Sequence, residues 1–471
     1  MSKLKKNITY NFLYQILNLI LPFITAPYLA RVIGAEGVGI YSFAQSIALY
    51  FSYFAVLGLN NYGNRSIAEV QNNKKERSKR FWEIYSMQLI TSLISILLYL
   101  LYLYFFSIDK VASLIMFGWV LASAFDINWL FFGLEQFKLT VIRNTIIKLF
   151  STLTIFIFVK TKNDIYIYIS IMVLSNLLSQ LALWPYVKRY IVFSRPKWKD
   201  IKKHFKPNLV LFIPIILVSV YKIMDKIMLG YLKDTCEVGY YENSEKIITM
   251  IESLIVAVGT VMLPRMTENI ANNKNYNEIR LFDISMNIVI IYALGVIFGL
   301  LAIKDDFVNI YFGSEFKKTA SIIGILSITI FFFGIGNVLR TQYLIPHKYD
   351  KIYVISAGIG AIINLIMNLI LIPFWGGIGA AIATAFSEIA VCLYQFYKVR
   401  DKINTRKYYK NIVYYTFISM IMYVIIINIK LKNIILKLFV QVCMGAMIYI
   451  TLVIIKNNKI IKEYLNNKKE K

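Results

Sequence analysis

Apolar residues in this chain gather into runs about 18–25 residues long, split by short polar stretches, from one end to the other. A helix of that length crosses roughly 30 Å of hydrocarbon. The alternation over about ten residues that marks a membrane β-strand is not found. The pattern predicts an all-α polytopic membrane protein with about fourteen spans. They fall near 9–30, 38–58, 82–106, 111–132, 142–159, 165–187, 208–231, 244–264, 281–303, 319–344, 352–373, 377–398, 411–429 and 434–455.

One stretch of this pattern returns later in the chain. Between Pro22 and Arg65, two apolar runs flank the polar hinge Arg31-Val32-Ile33-Gly34-Ala35-Glu36-Gly37. Val38, Gly39, Tyr41, Ile47 and Arg65 reappear in unbroken register as Val238, Gly239, Tyr241, Ile247 and Arg265, and Asn72-Asn73-Lys74 as Asn272-Asn273-Lys274. A shared ungapped frame, each copy opening a series of spans, predicts two halves of one membrane protein. The basic, proline-containing link 188–206 divides them. The expected organisation is an N-terminal lobe (1–195, six spans), a C-terminal lobe (196–400, six spans) and a final helix pair with a basic tail (401–471). Two pseudo-symmetric lobes with a polar cavity between them make a transporter.

Composition narrows the class. The chain is 58% hydrophobic and carries a formal charge of +26, but its basic residues lie between the spans, where membrane orientation explains them without nucleic acid. Clusters at Lys3/Lys5/Lys6, Lys74–Arg80, Lys188–Lys206, Lys398–Lys410 and from Lys456 onward mark the inner side, so both termini are expected inside. No small-residue cleavage site follows the first apolar run, so a removable signal peptide is not expected. Cys236, Cys392 and Cys443 are scattered, and His204 and His347 are the two histidines. Neither a metal site nor His-based chemistry is expected. No GxxxxGK[ST], HExxH or GxSxG sequence occurs, and the outer loops are short. A carrier without a cofactor, rather than an enzyme, is expected.

Ionisable residues inside spans cost about 2.5–3.5 kcal/mol each on insertion scales, so each needs a reason. Lys222, Asp225 and Lys226 are spaced to share one helical face. They form either a structural Lys–Asp pair or a cationic face toward a wet cavity or an anion. Arg31, Arg65 and Arg265 close spans one, two and eight, and their planar forks suit phosphate oxygens. For Arg65 and Arg265, inner-side anchoring is the competing reading, which their repeat equivalence weighs against. Arg340 shares a face with Asn337. Asp126, Glu252 and Glu388 either bind a coupling H+ or Na+ or pair with the lysines; Gln45 and Glu245 are repeat-equivalent polar positions. Pro22 and Pro27, and Pro207 and Pro214, are expected to bend or break the lead helix of each lobe.

Several motifs resemble the Wzx-type polysaccharide flippases of the MOP superfamily, relatives of the MATE exporters and of the lipid II flippases. They are the stretch opening at Pro22 and running through Tyr41 (PFITAPYLARVIGAEGVGIYSFAQS), Asp126–Lys138 (DINWLFFGLEQFK) and Met224–Gly230 (MDKIMLG). Glu237–Lys246 (EVGYYENSEK), Leu263-Pro264-Arg265, Gln342–Pro346 (QYLIP) and Gly379–Thr384 (GAAIAT) follow in order, so the resemblance runs to about residue 400. It implies a V-shaped fold of two six-helix lobes plus a final pair. The implied task is carrying an undecaprenyl-pyrophosphate-linked oligosaccharide across the bacterial cytoplasmic membrane for export, in company with polysaccharide assembly proteins such as a polymerase. The family's cavity arginines match Arg31, Arg65 and Arg265. A MATE-like drug or cation exporter, which should carry an acidic cavity, and a lipid II flippase are the alternatives.

Overall fold

The structure is a computed structural model describing residues 3–272, 275–403 and 405–469. The repeat residues Asn273 and Lys274 lie outside the described residues, as do the side chains of Lys3, Lys5, Lys6 and the lysines beyond Asn457. Among the described residues every regular element is helical. Thirteen helices among these residues are long and apolar enough to span a bilayer. The difference from fourteen lies at the start, where predicted spans one and two are joined in a single 50-residue stretch, 19–68, with local breaks at Gly34 and at Leu57–Gly58. The chain divides into two compact units, Met1–Gly239 and Tyr240–Lys471, and the link 188–206 lies inside the first.

The first unit is organised around α1 (Lys3–Val56), which is interrupted at Gly34, with φ 69° and ψ −177°. That combination is open essentially to glycine alone, so the polar hinge is one residue wide. Helical backbone continues through Pro22 and Pro27, so the expected break falls at glycine rather than proline. A proline removes one backbone hydrogen bond, which a packed apolar helix tolerates. Pro214 likewise lies within a continuous helix, α10. After a turn at Leu57 and Gly58 come α2 (Leu59–Ala68) and α3 (Lys74–Phe105). Asn73 caps α3, its side chain accepting from the amides of Lys75 and Glu76 at 3.1 and 3.2 Å.

Predicted span four is two helices, α4 (Lys110–Ala124) and α5 (Asn128–Gly133). The break between them frees backbone carbonyls at membrane depth, where each needs a partner. Buried Gln88 donates to the carbonyls of Ser123 and Asp126, both at 2.8 Å, and Trp184 to that of Phe125 at 3.1 Å. Trp129 donates to Gln88 at 3.1 Å and stacks on Phe81. Much of the DINWLFFG motif is therefore the plug that closes this break. Next come α6 (Phe137–Phe158), α7 (Ile165–Leu181), α8 (Trp184–Tyr190), α9 (Trp198–Lys202) and α10 (Phe205–Leu232). The α1 helix packs against α3, α4, α6 and α10.

The second unit takes in most of α11 (Thr235–Ala271), then α12 (Asn275–Tyr311), α13 (Lys317–Leu339), α14 (Asp350–Trp375), α15 (Gly377–Val399), α16 (Thr405–Ile427) and α17 (Ile434–Lys469). A π-helical turn, Arg340–Leu344, ends α13. The last helix pair is not loosely appended. Asn411 donates to Asn287 at 2.6 Å, Lys407 pairs with Asp283 at 2.7 Å, Lys437 pairs with Asp306 at 2.7 Å, and Tyr449 donates to the Ile291 carbonyl at 2.7 Å. All four contacts tie α16 and α17 to α12. Exposed apolar stripes such as Leu93, Leu97 and Leu101 on α3, or Ile362, Ile366 and Leu369 on α14, are the faces offered to lipid.

Candidate functional site

The intramembrane cluster of α10 folds as its spacing predicts. Asp225 is buried, with Lys222 and Lys226 half-buried on either side. The packing of α1 on α10 adds two residues missed in the sequence: the Tyr50 hydroxyl feels the charge of Asp225, and that of Tyr53 feels Lys226. Two lysines and one carboxylate leave this face net cationic, with two phenols beside it. Arg31 is exposed on α1 just ahead of the Gly34 break.

Arg65 projects from α2, exposed, 3.6 Å from Glu69, which also lies 3.8 Å from Arg80 of α3. Asp126 belongs to a different assembly. It accepts from the Asn128 amide at 2.9 Å and side chain at 2.7 Å, and Asn128 donates to Gln180 at 3.0 Å. Arg143 of α6 donates to Asn128 at 3.0 Å and to Asn144 at 2.6 Å, and Ser179 reaches Asn144 at 3.0 Å. This network ties α5, α6 and α7 together, and Asp126 has Arg143 as its nearby counter-charge. Arg143 went unmarked in the sequence because it sits one residue inside the edge of a span, where a basic residue reads as an anchor.

In the second unit, Arg265 lines a polar cavity of about 480 Å³ with Glu268, Asn269, Asn277 and Arg280. Arg340 opens the π-helical turn, its guanidinium 5.4 Å from the Tyr353 ring centre; such turns are frequent at functional sites. Asn337 is buried one turn before it. Glu252 and Glu388 are both buried, and Thr329 donates to Glu252 at 3.3 Å. Two fully enclosed amides that sequence reading passed over, Asn243 and Gln342, have no hydrogen-bond partner among the described residues on either amide atom. Among the described residues, no three His, Cys, Asp or Glu side chains gather to hold a metal ion. A separate groove of about 580 Å³ runs along α12, α16 and α17, its lining apolar except for Gln441 and the tyrosine hydroxyls, with Gly295, Gly299 and Gly445 opening its floor.

Comparison with known proteins places this architecture. The chain is similar to a putative O-antigen transporter of Escherichia coli K12, 25% identical over 84% of this chain and 97% of that one. It is also similar to the capsular polysaccharide biosynthesis protein CapF of Staphylococcus aureus, 24% identical over 83% of this chain and 99% of that one. Among solved structures, the lipid II flippase MurJ in an inward closed conformation shares the fold, with a TM-score of 0.79 at 17% identity, covering 96% of this chain and all of MurJ. Residues 4–270, more than half of the chain, match the polysaccharide biosynthesis protein family. This multi-pass membrane protein belongs to that family.

Proposed function

We propose that this protein moves undecaprenyl-pyrophosphate-linked oligosaccharide units from the inner to the outer leaflet of a bacterial cytoplasmic membrane, by alternating access through a cationic cavity, with both termini cytoplasmic. The observation that carries this reading is the net cationic face of α10, Lys222 and Lys226 around buried Asp225, within an otherwise apolar helix. In this reading Asp225 holds the lysines in place, and Lys222, Lys226, Arg31, Arg65, Arg265 and Arg340 meet pyrophosphate and sugar oxygens. The polyprenyl tail suits the apolar groove on α12, α16 and α17, where it stays in a lipid-like surround. Asp126, Glu252 and Glu388 are the candidates for H+ or Na+ coupling, with Asp126 the weakest because Arg143 already answers its charge. An inside-negative potential favours outward movement of anionic charge by about 2.3 kcal/mol per charge per 100 mV. Product delivered to the outer leaflet would be taken up by polysaccharide assembly proteins such as a polymerase.

The test is flipping of a lipid-pyrophosphate oligosaccharide in proteoliposomes, comparing the parent with Arg65→Ala, Arg265→Ala and Lys222→Ala, with folding checked separately. Each variant should slow flipping about tenfold or more, the loss of one charge-assisted contact. Parent-like rates in all three would remove the cationic-cavity mechanism. Transport of a hydrophobic cation in place of the lipid would install the exporter reading.

A further inference from the structure

His204 and Glu83 form a buried polar knot that the transport reading does not use. Their side chains are 2% and 1% exposed, and His204 Nε2 lies 3.0 Å from Glu83 Oε2. On the other side of the ring, the Tyr62 hydroxyl is 2.6 Å from His204 Nδ1. Lys203 reaches the same Glu83 oxygen at 3.1 Å, and Lys79 comes within 3.9 Å of the other. Three elements meet here: α2 through Tyr62, α3 through Glu83, and the α9–α10 turn through Lys203 and His204.

The geometry limits how a neutral imidazole can sit. A carboxylate accepts and cannot donate, so Nε2 must carry the proton and donate to Glu83. Nδ1 is then the acceptor, and the Tyr62 hydroxyl donates to it. Lys203 balances the Glu83 charge. A proton added at Nδ1 reverses this order. The Tyr62 oxygen must turn to accept, sending its own proton toward neighbouring Ser66, and the new imidazolium competes with Lys203 for one carboxylate oxygen. The charged and titratable groups around it are Glu83, Lys79 and Arg80 of α3, Lys203 and Asp200 at α9, Tyr62 of α2 and Glu69 at its C-terminal end. With two cations already on Glu83 and Arg80 close by, a third acts most on Lys203, which shares the Glu83 Oε2 atom with the ring, whereas Lys79 lies 3.9 Å from the other oxygen.

We propose that His204 is a proton-operated latch. Neutral, it ties α2 and the α9–α10 turn to Glu83; protonated, it displaces Lys203 and reverses the hydrogen bond that holds α2. Histidine is the side chain that makes this change across the physiological range. Because α2 carries Arg65 one turn beyond Tyr62, His204 and Glu83 are positioning residues for that arginine; this consequence alone rests on the flippase reading.

Hydrogen–deuterium exchange of the full chain in lipid nanodiscs tests the latch without any transport substrate. Rates are compared at about pH 7.5 and about pH 4.5, the lower value chosen because burial pushes the His204 imidazole below the ordinary histidine range, after correction for intrinsic pH dependence. In the parent, peptides covering 59–68 and 191–204 should exchange about two- to tenfold faster at the lower pH, the factor carried by one ordinary hydrogen bond. His204→Gln should abolish the pH ratio, and His347→Gln should leave it intact. Tyr62→Phe, which keeps the ring packing, should raise exchange of 59–68 already at the higher pH. A parent ratio near one, a ratio surviving in His204→Gln, or parent-like exchange in Tyr62→Phe overturns the latch. If exchange follows the expected pattern while Arg65→Ala transports normally, the latch stands and the substrate role of Arg65 falls.

Discussion

The two copies of the repeat, Arg31–Arg65 and Tyr231–Arg265, agree where backbone meets backbone and differ where charge is placed. Gly34, which breaks α1, has Asp234 as its counterpart, in the turn ahead of α11; Ala35 and Thr235 then open equivalent helical segments. There the copies touch inside the first unit. A Cβ built on Gly39 would overlap the Thr235 carbonyl oxygen, and one on Gly239 would overlap that of Ala35. Each glycine faces the repeat mate of the residue that faces its partner. Downstream the copies part. The first turns at Leu57 and Gly58, where Leu57 has φ 53°, and carries Arg65 on the short separate α2. The second continues unbroken through Pro264 and carries Arg265 on α11 itself. What the repeat preserves is a close helix–helix approach, and what it releases is the path by which each arginine arrives.

Breaking the shared feature should have the largest effect. Gly39→Ala and Gly239→Ala each place a methyl group on a backbone carbonyl that no rotamer can evade. Overpacking typically costs about 1–3 kcal/mol, and contact with backbone lies at or beyond the upper end of that range. Both variants should lower the unfolding midpoint in detergent by similar amounts, because the contact is reciprocal; a large effect at one glycine and none at the other would refute the reciprocity. Next comes Gly34→Ala, which disturbs the first copy alone. Its backbone region costs about 1–3 kcal/mol for any residue with a Cβ. A midpoint drop smaller than at Gly39 is expected, while a neutral result would mean that the break at Gly34 is not retained in solution.

Much of this was legible in the sequence. The apolar runs marked nearly every helix, because a bilayer imposes one length on them. The register of Gly39 and Gly239 announced the repeat, and the spacing of Lys222, Asp225 and Lys226 gave the cationic face of α10. Three things escaped. The helix interruption at Phe125–Ile127 lies inside an apolar stretch, so hydropathy passes over it. Arg143 and Asn128 meet through tertiary packing of α5 on α6, which no local spacing encodes. The pair Glu83–His204 joins residues far apart in the chain, and a lone histidine carries no pattern. Asp126 shows the same limit from the other side, since its residue type suggested ion coupling before its partner was visible.

The smallest effect on stability should come from the residues in which the copies differ most. Arg65 is exposed and its ion pair with Glu69 is long, at 3.6 Å; pairs of this kind contribute about 0–1 kcal/mol. Arg265 is exposed beside a cavity that also holds Arg280 and Glu268, so removing it relieves one like-charge neighbour as it loses one opposite charge. Arg65→Ala and Arg265→Ala should therefore unfold within roughly 2 °C of the parent, the shift that an exposed ion pair can produce. High salt should shrink even that difference through screening. This near-silence gives the transport comparison its meaning. If both variants melt like the parent and flip slowly, the arginines serve the substrate along their two different paths. If either melts well below the parent, that copy has kept its arginine for the fold, and the resemblance between Arg65 and Arg265 ends at their shared register.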